Sequence, residues 1–219
     1  MNRPIFLLLL LMLSGCATTL RTDVAVDDAG YVVYSIGADE YSRASYYTLQ
    51  FRDAARRESM DRTFYPVGSP NVDQSPDFNT SSFLGAVVTM RLKPGEYEIY
   101  NYAVRKPLPG GDVVHTAGRE FRIPFVVEKD KVTYLGQYRA QVLKARNAYD
   151  KEVDAYFYFI IDDQTERDLA IARARKSIPA GAGTQREVVV APPLLHPLIR
   201  NERWPESQMP SGTYYPKTK

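Results

Sequence analysis

The chain has 219 residues, with 28 Lys and Arg against 26 Asp and Glu, a formal net charge of +2. A balance this close to neutral argues against nonspecific nucleic-acid binding, which relies on clustered basic side chains to displace counterions, so no nucleic acid is expected among the partners. The length suits one domain with extensions, the single Cys excludes a disulfide framework, and 16 Tyr against one Trp is a bias that suits strands and recognition surfaces.

Residues 1–15 read as a signal peptide: Arg3 gives a basic end, Ile5 to Leu13 an apolar run, and Ser14 and Gly15 small residues before a cut. The run is too short to span a bilayer, which takes roughly 20 apolar residues. Leu13-Ser14-Gly15-Cys16 resembles the lipobox of bacterial lipoproteins. The resemblance implies that the Cys16 thiol takes a diacylglycerol, that the peptide is cut before it, and that the new amine is a site for a palmitate-type acyl chain. Two or three chains anchor firmly, because each buried methylene contributes about 0.8 kcal/mol and one chain alone holds only marginally. In Gram-negative lipoproteins an Asp after the cysteine tends to retain the protein in the inner membrane. Ala17 stands there instead, so the resemblance implies a lipid-anchored outer-membrane location with the domain facing the periplasm. Once acylated, Cys16 leaves no thiol for a disulfide, a metal or nucleophilic catalysis.

Residues 16–29 are polar and unpatterned, as a lipidated tether should be, and a β domain is expected over 30–191. Strand-type runs occur at 31–36, 45–51 and 85–92, the last with Ala86, Val88, Met90 and Leu92 on one face. Residues 52–82 read as a loop insertion, with RDAARRES able to form a short helix and Pro66, Pro70 and Pro76 among polar residues. Lys93-Pro94-Gly95-Glu96 predicts a type II turn closing a hairpin onto EYEIYNYAV, and KPLPGGD predicts a loop. Residues 121–127 alternate, Glu128 to Lys131 turn, and 132–143 return as a second expected hairpin. In the strand over 153–161, Val153, Ala155, Phe157, Phe159 and Ile161 share the core face, and Asp154, Tyr156, Tyr158 and Ile160 the other.

Asp163-Gln164-Thr165-Glu166 predicts a capping box opening a helix to Lys176, with Leu169, Ala172 and the stem of Arg173 inward. REVVVA at 186–191 is a candidate last strand. Residues 192–219, with Pro192, Pro193, Pro197, Pro205, Pro210 and Pro216, read as an extended Pro-rich tail. Many short strands and one helix predict a mainly β fold, an antiparallel β-sandwich with one C-terminal helix. LKPGEYEIY resembles the L-x-P-G-x-Y hairpin of carboxypeptidase-regulatory-like and transthyretin-like β-sandwiches. More broadly, residues 83–178, with PGEYEIYNY, IPFVVEKDKVTYLGQY and DQTERDLAIARARKSIP, resemble a Gram-negative bacterial lipoprotein family without an assigned activity. These motifs are turn and strand chemistry; they imply a fold and transfer no catalytic residue.

The two histidines, His115 and His196, read as surface loop residues without a second metal-type ligand nearby, and Asp27-Asp28 and Asp162-Asp163 lack the pattern of a calcium loop. Neither metal nor cofactor is expected. Glu96 and Glu98 lie on one strand face, close enough for paired-acid work, yet a solvent-facing Glu-x-Glu beside a turn is the plainer reading. There is no G-x-S-x-G elbow, no S-x-x-K and no phosphate-binding glycine loop, so no catalytic residue is assigned. The candidate binding residues are aromatic: Tyr100 and Tyr102, with Tyr97, on one strand; Tyr156 and Tyr158 on another; and Trp204, with Tyr214 and Tyr215, in the tail. The expected function is a non-enzymatic interaction or structural module in the envelope, its partner an envelope protein; the alternative is a carbohydrate or peptidoglycan binder using exposed tyrosines.

Overall fold

The computed structural model describes residues 28–55, 59–64, 75–108, 110–146, 149–189 and 199–203. The signal peptide, Cys16, nearly all of the tether, His196, Trp204, Tyr214 and Tyr215 lie outside the described residues. In chain order the elements are β1 (Gly30–Ala38), β2 (Tyr46–Asp53), β3 (Ser59–Phe64), β4 (Phe78–Asn79), β5 (Leu84–Leu92), β6 (Gly95–Leu108) and β7 (Gly111–Thr116). They continue with β8 (Ile123–Val127), β9 (Val132–Arg146), β10 (Glu152–Asp162), α1 (Thr165–Ala174), β11 (Thr184–Arg186) and β12 (Ile199–Arg200).

The strands form two sheets. The first runs β12-β10-β9-β1-β5-β4, with β11 also on β9; the second runs β3-β2-β6-β7, with β8 also on β6. The second is antiparallel throughout. The first is mixed, because β1 pairs parallel with β9, as do β11 with β9 and β12 with β10. This corrects the expectation of an all-antiparallel fold. After β5 the chain crosses to the second sheet, builds β6 to β8 there, and returns as β9; that excursion is the long crossover a parallel pair requires.

Both expected hairpins are therefore bridges between sheets. Lys93 and Pro94 join β5 of one sheet to β6 of the other, and Glu128 to Lys131 join β8 to β9 in the opposite sense. Gly95 has φ of 159°, far from the value near +80° of a type II turn. Turn residues specify that the chain reverses, not whether the returning strand lies beside its predecessor or across the core from it. The insertion 52–82 is also corrected: Asp53 accepts from Ala55 N at 2.8 Å, an Asx turn in place of a helix, and β3 comes back against β2. KPLPGGD is likewise the β6–β7 hairpin instead of a free loop.

One core lies between the sheets. It gathers Val32, Tyr34 and Ile36 of β1, Leu49 and Phe51 of β2, Tyr97, Ile99, Tyr102 and Val104 of β6, Tyr138 of β9, and Phe157 and Phe159 of β10. Aromatic rings run through it in succession. Tyr97 stacks on Phe125 at 5.7 Å, Phe125 meets Phe51 edge-on at 6.1 Å, and Tyr34 lies 5.5 Å from Phe51 and 6.3 Å from Tyr138. Such tilted pairs add about 0.5–1.5 kcal/mol each beyond their buried area.

Two β-bulges decide which residues reach that core. In β6, Gln50 pairs with Asn101 and Phe51 with Ile99, so Tyr100 is the extra residue; Tyr97 and Ile99 face the core before it, Tyr102 and Val104 after it. In β9, Leu135 and Gly136 together oppose Tyr34, with Gly136 at φ 108°. Val132 and Tyr134 consequently face the helix, whereas Tyr138 and Ala140 face the core.

Helix α1 lies on the outer side of the first sheet over Tyr31, Val33, Val87, Val132 and Tyr134, burying Leu169 and Ala172 as the sequence predicts. Arg173 is exposed, not inward. The capping box is replaced by a nearer contact: Asp163 accepts from Thr165 N at 2.9 Å and Thr165 Oγ1 at 2.6 Å, while Glu166 is exposed. The strand expected over 186–191 is β11, a few residues earlier than its expected place. Part of the tail joins the domain as β12, whose Ile199 is fully buried beside Phe159.

Candidate functional site

The aromatic candidates separate. Tyr102 is fully buried; its hydroxyl donates to Phe157 O across the core, and its ring lies 5.1 Å from Phe159. Tyr158 is also buried, at 4% exposure. For both, the expected exposed face is corrected, Tyr102 by the bulge at Tyr100 and Tyr158 because both faces of β10 are covered along its second half. Tyr100 is half-buried beneath the Arg52 guanidinium, 4.5 Å from the ring centre. Tyr156 keeps 37% of its surface exposed.

The acidic and basic candidates are tied into structure. Glu98 is buried between two arginines, with Arg52 Nε at 2.5 Å and Arg122 Nε at 2.7 Å on its two oxygens, while Glu96 is exposed. Burial, together with the hydrogen bonds to Glu98 and Glu120 that outweigh it, leaves the Arg52 guanidinium raised. His115 is not in a surface loop: it sits in β7, buried, with its ring 5.1 Å from Phe157. Burial lowers its basicity, and the nearby Asp154 offsets this only in part. Asp154 bridges Lys106 and Lys144; burial pushes its carboxyl up, and the two ammonium groups more than reverse that, holding it below the usual carboxylate range. Among the described residues no group of three His, Cys, Asp or Glu is placed to hold a metal, and no helix is long and apolar enough to cross a membrane.

Beneath α1 lies a polar node that the sequence analysis missed. Asp168 is fully buried, and its Oδ2 accepts from Ser35 Oγ at 2.6 Å and Tyr134 OH at 2.8 Å. Its Oδ1 accepts from Arg167 Nε at 2.9 Å and Nη2 at 2.7 Å, and the same guanidinium covers the Phe78 ring at 4.1 Å. Every oxygen lone pair that burial would orphan is engaged, so the node fastens the helix to β1 and β9. Asp168 stands four residues before the inward Ala172, hence on the same helical face, and that spacing was the signal available in the sequence.

At the other end of α1 a groove of about 650 Å³ opens between the helix end, β1 and β5, lined by Tyr31, Thr89, Arg91, Arg173, Lys176 and Ser177, with Ile178 to Ala180 beyond. Behind it Tyr31 and Ile178 are buried, and its open apolar surface comes from Pro179 and Ala180. Its rim is cationic, and among the described residues no carboxylate lines it. Lys176 takes a left-handed φ of 56°, the position after a helix that usually goes to Gly. These residues come from three separate elements, so nothing in the linear sequence brings them together.

No protein-family model and no curated protein matches the chain. Among solved structures there is similarity to a leucine-rich repeat protein from Bacteroides thetaiotaomicron, at 15% identity and a TM-score of 0.32, over 52% of this chain. The chain spans 14% of that protein's length, and a likeness at this level carries no argument about fold or function.

Proposed function

We propose that the chain is a lipid-anchored envelope protein, held in the outer membrane by acyl chains on Cys16, whose domain is a periplasm-facing, non-enzymatic interaction or structural module. The two sheets, sharing one core, are taken as a β-sandwich with PGEYEIY as its transthyretin-like element. The observation that carries the non-enzymatic reading is the commitment of the chemistry-bearing groups. Glu98 is held by Arg52 and Arg122, Asp168 by Ser35, Tyr134 and Arg167, Asp154 by two lysines, and His115 lies against Phe157. A general acid or base has to present an open site to its substrate.

A carbohydrate or peptidoglycan ligand is the second reading. It is favoured by the exposure of Tyr156 and weakened by the burial of Tyr102 and Tyr158. Labelled palmitate fed to cells expressing the chain tests the anchor: the wild type should incorporate label and Cys16→Ser should not. Label retained by the variant would refute the anchor. Crosslinking in intact cells, with and without peptidoglycan digestion, separates a protein partner from a glycan. Hydrolase activity of the purified chain on cell-wall glycan or peptide would overturn the non-enzymatic reading.

A further inference from the structure

We propose that the groove at the end of α1 is a binding site for a small anionic amphiphile, a phosphate group carried on an apolar tail. This goes beyond the module reading and does not depend on the acyl anchor.

Charge is the first argument. Arg173 and Lys176, from the helix end, place two exposed cations at the opening beside Arg91 of β5, and among the described residues no carboxylate lines it. Neighbouring Arg175 shows how such a charge is usually satisfied in this fold: it pairs with Asp77 and donates to Val87 O at 3.2 Å. Arg173 and Lys176 have no ion pair among the described residues. A carboxylate would bring one charge to this rim, whereas a phosphate brings up to two and offers three acceptor oxygens, the better match.

A helix C-terminus is ordinarily a poor place for an anion, because its free carbonyls carry partial negative charge. Here the carbonyls of residues 171 to 173 are occupied. Ile171 O accepts from Arg175 N at 3.0 Å, Ala172 O from Ser177 N at 3.0 Å and Ser177 Oγ at 2.9 Å, and Arg173 O from Lys176 N at 2.9 Å. Thr89 and Ser177 share a hydrogen bond at 3.1 Å, which fixes this turn to β5. Lys176, in the left-handed region where Gly would be free of strain, is part of the same turn.

Shape supplies the tail. A lone phosphate would meet the rim and leave the exposed Pro179 and Ala180 beside it in contact with water. An attached hydrocarbon or ring covers that apolar surface and gains its transfer free energy.

The test uses the full chain as purified, in phosphatidylcholine nanodiscs if it carries acyl chains and in buffer if it does not. Hexyl phosphate, inorganic phosphate and hexanol are titrated in parallel, and deuterium exchange is read in peptides covering residues 28–36 and 173–182. Hexyl phosphate should protect both peptides at a concentration at least about tenfold below inorganic phosphate, and hexanol should not protect them. The double variant Arg173→Gln, Lys176→Gln alters two exposed side chains outside the core, and should weaken hexyl phosphate at least about tenfold, the equivalent of one charge-assisted hydrogen bond. Hexanol acting as well as hexyl phosphate would overturn the charge argument, and inorganic phosphate acting as well would overturn the tail. Unchanged binding by the double variant, or no protection by millimolar hexyl phosphate, would overturn the site.

Discussion

Ser35 and Asp168, 133 residues apart, meet in a 2.6 Å hydrogen bond with no water-accessible surface on either side chain. The bond joins the central strand to the only α-helix among the described residues, and it fixes what removal of the carboxylate should do. Asp168→Ala leaves the Ser35 and Tyr134 hydroxyls without their acceptor and Arg167 without its counter-charge. The expected loss is about 3 kcal/mol, at the low end for a broken buried pair because Arg167 reaches water. Urea denaturation of wild type and variant measures it; a loss under about 1 kcal/mol would show that the node does not fasten the helix.

Gly136→Ala should destabilise by about 1–3 kcal/mol, because its φ of 108° disfavours any side chain and the new methyl would sit 3.0 Å from Ile161 Cγ2 and 3.3 Å from Asp162 O. Gly181→Ala, which meets nothing within 4 Å, is the control and should be near neutral. Thermal melts of the two variants side by side check the contrast.

Buried His115 is less basic than the ordinary imidazole at 6.5, so the unfolded chain binds its proton more readily than the folded one. Its contribution to stability is therefore whole above pH 6.5 and is lost as pH falls from there towards the lowered folded value. Replacing it by Gln should flatten the stability profile between neutral pH and about pH 5.5, read as the change in melting temperature. An unaltered profile would mean that His115 reaches water in solution.

Tyr102→Phe should cost about 1 kcal/mol through the lost bond to Phe157 O, and leave binding of any glycan unchanged, since the hydroxyl is enclosed. A fall in glycan retention on a peptidoglycan column, without loss of stability, would return this residue to the surface.

The tail is the fifth test. A chain ending before Ile199 loses a fully buried side chain and the short β12, together with Asn201, which donates to Ile161 O at 3.3 Å and Val189 O at 3.0 Å. Ile199→Ala alone should cost about 2–4 kcal/mol. Residues 199–201 of the extended Pro-rich tail thus belong to the domain; equal melting temperatures for full and shortened chains would show that they add little to its stability.

Strand identity was legible from the unbroken apolar run of β1 and from the alternation in β5 and β10, and so was the helix, from its apolar spacing and the Asp163 start. What was not legible depends on contacts made far away in the sequence. Tyr100 and Tyr102 are two apart and by alternation share a face; one extra residue in β6 against β2 sends one inward and leaves the other out. Pro94-Gly95 reads the same whether β6 returns beside β5 or across from it, because the choice rests on how both strands bury their apolar faces. His115 looks like a loop residue next to PGGD until β6 is seen to run on to Leu108. Arg91, Arg173 and Lys176 have no sequence relation at all; only the docking of α1 on β5 makes them neighbours.

The place of β1 has a mechanical consequence. It is the first strand among the described residues, yet it lies inside the sheet, matched from Gly30 to Ala38 along β5 and from Tyr31 to Ala38 along β9. Tension entering the chain ahead of Asp28 acts along the axis of a strand clasped on both edges. Extraction has to shear both ladders together instead of peeling one bond at a time, so a tug from that end meets the stiffest direction the domain possesses.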